Sequence, residues 1–174
     1  MDLCIGPLVY LINQVHYSPH NHKRTINSIA KHTCYYSKKR ELDPILVTAL
    51  IAHESGFKPK LKSKTNDIGL MQLHYKYIRD RCNPFKIKCN IKTGTRKLAR
   101  FKNKDPGKHH WLRRYNWFSK THHLRVLWIS AALKRALEGH TYLFKIIKQR
   151  KYQKLRINYK CIGKDLCGQL RIIE

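Results

Sequence analysis

Asp43-Pro44-Ile45-Leu46-Val47-Thr48-Ala49-Leu50-Ile51-Ala52-His53-Glu54-Ser55-Gly56 is the stretch on which the reading of the fold turns. Asp43 makes a good N-cap, because its carboxylate can accept from the free N–H groups of a first helical turn. Pro44 fits the next position, where no N–H is needed. The residues that follow are apolar, and Gly56 and Pro59 stop them, so a helix is predicted from Asp43 to about Glu54. Glu54 then sits at the end of an apolar helix, near the pole whose partial charge opposes a carboxylate. Both conditions favour the protonated form, which suits a group that must donate a proton.

Outward from this helix, periodicity and punctuation predict a mainly α fold with at most a small β-hairpin. Short helices are expected over about 2–15 and 22–33, separated by Ser18-Pro19-His20-Asn21. The polar stretch 58–67 reads as a loop or hairpin. Residues 70 to about 81 return to helix, with Cys82-Asn83-Pro84 ending it. A further helix opens at Asn90 or Thr93 and runs to about Lys102, before the turn Lys104-Asp105-Pro106-Gly107. From 108 to 151 the pattern is again helical, with breaks near Ser119 and at Gly139-His140, and 161–167 reads as a tied loop or hairpin. No repeat or low-complexity linker divides the chain, so residues 1–174 are expected to form one domain. Its motif-bearing core is 42–118 and its basic helical part 119–174.

The motifs give this helical frame a chemistry. Glu54-Ser55 is followed by Ser63, then Gly69-Leu70-Met71-Gln72, then Asn90-Ile91-Lys92-Thr93-Gly94-Thr95-Arg96-Lys97-Leu98, then Arg114-Tyr115-Asn116-Trp117-Phe118. In this order, with Ser63 and Gly69–Gln72 counted as one, the four elements resemble the soluble lytic transglycosylase family, whose fold is lysozyme-like and whose members cut the glycan strands of peptidoglycan. The match is weakest at the last element, where Arg114 and Trp117 stand in place of small residues and the family's glycine is absent.

The resemblance implies that Glu54 is the general acid and base of a reaction that cleaves the β-1,4 bond and leaves 1,6-anhydro-muropeptides. Ser55 and Ser63 are expected to hydrogen-bond the carboxyl or the substrate, and Gly69, Leu70, Met71, Gln72 and Asn116 to lie against the sugar. Tyr115 is expected to orient Glu54 through its hydroxyl. Hydrolytic glycosidases place two carboxylates across the bond. Acids are scarce here, and Asp67 is the one acid between the two principal motifs, so transglycosylation is favoured over a hydrolytic muramidase. No cofactor or metal is expected.

The 37 lysines and arginines against 10 aspartates and glutamates give a formal charge of +27. Such a field attracts polyanions. Nucleic acid is one candidate partner, but that reading leaves Glu54, Gln72 and Asn116 without a reason, so no specific nucleic acid is expected. Peptidoglycan with the anionic polymers or membrane surface of the bacterial envelope is favoured, met by a monomer. The amphipathic run Lys145 to Arg156 is a second candidate for envelope contact, although it also fits a core-facing helix.

Adjacent histidines such as His109-His110 and His122-His123 face different ways on a helix and make poor chelates, so they are assigned to surface or cleft. The six cysteines contain two close pairs, Cys82/Cys89 and Cys161/Cys167, each able to close a short loop in an oxidising space. The first residues lack the features of a secretory signal, and no apolar run reaches the length of a membrane span. Action at the cell wall or periplasm is therefore expected either of a trimmed form or of a protein that arrives without a conventional signal. A phage endolysin or a virion-carried enzyme would fit.

Overall fold

The computed structural model describes residues 4–15, 23–80, 82–105, 110–116 and 120–137, together with the pairs 157–158 and 171–172. Seven helices run in the order α1 (Ile5–Val15), α2 (Lys23–Lys38), α3 (Pro44–Ser55), α4 (Tyr75–Ile78), α5 (Ile87–Lys104), α6 (His110–Arg113) and α7 (Lys120–Leu137). Strands β1 (Asp67–Ile68) and β2 (Leu73–His74) pair antiparallel between α3 and α4, and β3 (Ile157–Asn158) pairs antiparallel with β4 (Arg171–Ile172). The fold is mainly α, as its sequence pattern predicts.

Helix α3 is the central element. Asp43 caps it by accepting from Ile45 N at 2.8 Å and Leu46 N at 3.4 Å, and left-handed Gly56 (φ 56°) closes it with an N–H bond to Ala52 O. Its residues Leu46 to Ile51 are all buried, so no face of the helix is left for water. It achieves this by packing against α1, α2 and α7. Helix α7 contributes Val126, Ile129, Leu133 and Ala136, spaced by three or four residues as one face of a helix requires. The two helices are antiparallel: Lys134 pairs with Asp43 at one end of α3 and His122 pairs with Glu54 at the other.

One predicted helix is replaced. Residues 70–74 form a turn and strand β2, and only Tyr75–Ile78 is helical. Gly69 (φ 77°) and Gln72 (φ 41°) take left-handed conformations that a right-handed helix cannot contain. The buried Asn90 side chain also takes over the main chain, accepting from Met71 N at 2.8 Å and donating to Ile68 O at 2.9 Å and Pro84 O at 3.0 Å. Helix α5 begins at Ile87, a few residues earlier than expected, and so delivers Asn90 from its first turn.

Two disulfides bind the described residues, Cys82–Cys89 as a short loop and Cys4–Cys34 as a link between α1 and α2. The second pairing is not one of the close pairs in sequence. Cys161, Cys167, the run 145–156, His109 and the turn at 106–107 lie outside the described residues.

Candidate active site

Glu54 is held at the C-terminal end of α3 with its side chain 11% exposed, so the carboxyl is neither in bulk water nor sealed from it. Its Oε1 lies 2.8 Å from His122 Nε2, on the first turn of α7, and the His122 side chain is 8% exposed. Behind His122 stands His53, nearly perpendicular to it at 4.5 Å between ring centres. Burial, followed by the charges of His122 and Arg125, lowers the His53 pKa from 6.5 to about 4, so at neutral pH this ring is an uncharged wall. His122 and His123 are both buried, so of surface and cleft the surface is excluded for this pair, and His122 lies against Glu54. The packing of α7 on α3 turns both inward.

On the other side, the Gly69–Gln72 turn is fixed by main-chain bonds from three directions. Ser55 Oγ donates to Leu70 O at 2.8 Å, with Ile51 O at 3.1 Å, which clamps the end of α3 to the turn. Asn90 holds the turn from α5, as described above. Tyr115, in the 3-10 turn Arg114–Asn116 after α6, donates its hydroxyl to Met71 O at 2.7 Å. The phenol resists ionisation, its pKa raised chiefly by burial and further by the charges of Glu54 and Asp67. Lys97 lies under the same ring, with Nζ 4.3 Å from its centre and 3.3 Å from Tyr115 O. Burial lowers the Lys97 pKa, and the attraction of Glu54 and Asp67 opposes the shift.

Two glycines make this arrangement possible. A Cβ on Gly69 would lie 2.3 Å from Asn90 Nδ2, and one on Gly94 would lie 2.3 Å from Met71 Sδ. Gly69 therefore lets the turn meet its anchoring amide, and Gly94 lets Met71 seat in α5.

The residues suggested by the motifs thus separate into two groups. Glu54 and the half-buried Gln72, whose amide donates to Gly69 O at 2.8 Å, remain partly accessible. Ser55, Gly69, Leu70, Met71 and Tyr115 are buried, and build the wall from behind. For Ser55 and Tyr115 this is a correction: their hydroxyls bind the carbonyls of Leu70 and Met71 rather than the Glu54 carboxyl. Leu70 and Met71, both 0% exposed, present no side-chain surface to a sugar. Ser63 lies apart from Glu54's bonds: its Oγ is 3.1 Å from Asp67 Oδ2 and 2.9 Å from Thr65 Oγ1, and it accepts from Asp67 N. These contacts fasten Asp67 to its own loop. The main chain of Asn116 ends the 3-10 turn, and its side chain lies outside the described residues.

His122 and Lys97 are the site residues that sequence reasoning missed. Lys97 lay within a quoted motif, but nothing local marked it as buried. His122 gave no signal beyond belonging to a histidine pair.

What this arrangement offers chemically is the Glu54 carboxyl, mostly removed from water and hydrogen-bonded to an imidazole, and a turn with one partly exposed amide. No cluster that would hold a metal ion occurs among the described residues, and none of their helices is long and apolar enough to cross a membrane. Comparison with curated proteins found no match. The family model for the transglycosylase SLT domain matches residues 33–117. That segment, which holds Glu54, the Gly69–Gln72 turn, Asn90 and Tyr115, is thus a transglycosylase SLT domain of the soluble lytic transglycosylase family of peptidoglycan-cleaving enzymes.

Proposed function

We propose that the protein cleaves the MurNAc–GlcNAc β-1,4 bond with Glu54 as the sole acid and base, giving 1,6-anhydro-muropeptides. The observation that carries this reading is the environment of Glu54: one carboxyl, 11% exposed, with no second carboxylate among its hydrogen-bond partners in the described residues. As the C1–O bond breaks, its electron pair goes to the leaving oxygen, which takes the Glu54 proton. The carboxylate then removes the proton of the sugar's own 6-hydroxyl while that oxygen bonds to C1. Glu54 ends as it began, and no water is consumed.

Asp67, the candidate second acid of a hydrolytic route, accepts hydrogen bonds from Ser63 and Thr65, which supports a structural role for it in its loop. Gln72 is the residue we assign to the saccharide, with Asn116 and Ser63 as further contacts. The whole chain, 1–174, acts as one monomeric unit at the bacterial wall. Its adhesion to anionic envelope polymers is supported by exposed Lys88, Lys92, Arg96 and Arg100, one helical turn apart along α5. Neither α5 nor its neighbour α2 carries an acid. An endolysin or another bacteriolytic setting fits these properties.

Mass spectrometry of sacculi digested by the purified protein tests the reaction. Anhydro-ended muropeptides, each one water lighter than the reducing form, are expected. Products ending in reducing sugars would replace this proposal with hydrolysis.

A further inference from the structure

The chain brings to Glu54 a partner from outside the segment matched by the family. His122 lies on α7, beyond residue 117, yet its Nε2 stands 2.8 Å from the carboxyl. Both side chains are almost out of water, at 8% and 11% exposure, where a hydrogen bond between ionisable groups is strong and sensitive to its proton count. The contact is satisfied in two ways, by an imidazolium N–H donating to a carboxylate or by a carboxyl O–H donating to a neutral imidazole. Each form holds one proton between the pair, and the second is the form able to protonate a leaving oxygen.

Resting on the functional reading above, we propose that His122 is a positioning residue for Glu54, which fixes the direction of the carboxyl and shares one proton with it. Groups from every side frame the pair. His53 of α3 meets the imidazole edge to face and is uncharged at neutral pH, so it adds no competing charge. Lys97 of α5 and Tyr115 of the 3-10 turn feel the charge of Glu54 and also that of Asp67 of β1, Arg125 of α7 acts on His53, and His123 is buried beside His122. Ser55, Asn90 and Tyr115 hold the Gly69–Gln72 turn, and their side chains bond its main chain rather than Glu54. His122 bonds Glu54 itself.

Two groups in such contact titrate as a pair. In His122→Gln, whose amide can still donate to Glu54 but cannot carry a proton, the kcat–pH profile is expected to differ in shape from the parent's, because one member of the pair no longer titrates. Misdirection of the carboxyl is expected to lower kcat on the order of tenfold or more with KM nearly unchanged. A parent-like kcat and pH profile in a variant that melts as the parent does would overturn the proposal.

NMR of the parent and of Glu54→Gln gives a second measurement, which does not depend on the His122 variant folding. A low-field proton on His122 Nε2 is expected in the parent and should move upfield in Glu54→Gln. The same resonance in both proteins would contradict the shared proton. Should Glu54→Gln itself cleave sacculi at the parent rate, the functional reading falls, an outcome distinct from the failure of His122 alone.

Discussion

The two ends of α3 carry the same kind of contact in opposite surroundings. At the N-terminal end Lys134 Nζ meets Asp43 Oδ2 at 2.8 Å with side chains 52% and 35% exposed, and at the C-terminal end His122 meets Glu54 at the same 2.8 Å with 8% and 11%. Both pairs join α7 to α3, so distance and helix pairing are held constant and solvent is the variable. Water screens the first pair, and the Asp43 carboxylate also has a local task in capping α3. The second pair is desolvated and lies at the end of a helix whose dipole does not favour the carboxylate. The wet pair secures a helix end. The dry pair sets two ionisable groups side by side out of water.

The largest effect that would sharpen this contrast is on acid stability at the dry end. His53 has a folded pKa of about 4 against 6.5 unfolded, so the folded state resists its protonation. Its contribution is fully present above pH 6.5 and is lost as pH falls toward 4. By linkage the loss amounts to about 3 kcal/mol. Denaturant midpoints of the parent and of His53→Leu should therefore converge or cross by that amount between pH 6.5 and 4, and parallel curves would break the contrast.

A smaller effect is expected at the wet end. Asp43→Ala removes the cap from Ile45 and Leu46 N–H and should cost about 1 kcal/mol in thermal or urea unfolding, at any pH above the carboxylate range. Smallest is Lys134→Ala, below about 1 kcal/mol and erased by raised salt, since it removes only the screened partner. A salt-insensitive loss of several kcal/mol there would mean that the two ends do not differ as described.

The same contrast explains what was legible in the sequence. Asp43, Pro44 and Gly56 act on backbone groups within a few residues of themselves, so the start and stop of α3 could be read directly, and Glu54 with them. The helix expected over 70–81 failed because its local pattern was overruled from a distance: Asn90, nineteen residues beyond Met71, binds the main chain on both sides of Gly69 and holds it as a turn. Cys4–Cys34 likewise depends on α1 and α2 lying together, whereas Cys82–Cys89 closes a loop short enough to be suggested by spacing. Ser55 and Tyr115 were found by motif, but their hydroxyls proved to serve main-chain carbonyls of the turn. His122 is the extreme case, since sixty-eight residues separate it from Glu54 and only the antiparallel packing of α3 and α7 brings the two together.

The central claim is that the carboxyl at the dry end of α3 performs the cleavage. Its most direct test is the rate of sacculus solubilisation by Glu54→Gln beside the parent, with melting curves of both. A fall on the order of 10²- to 10⁴-fold in a folded variant is predicted, the range for loss of a general acid. Cleavage at the parent rate by folded Glu54→Gln protein would contradict the account.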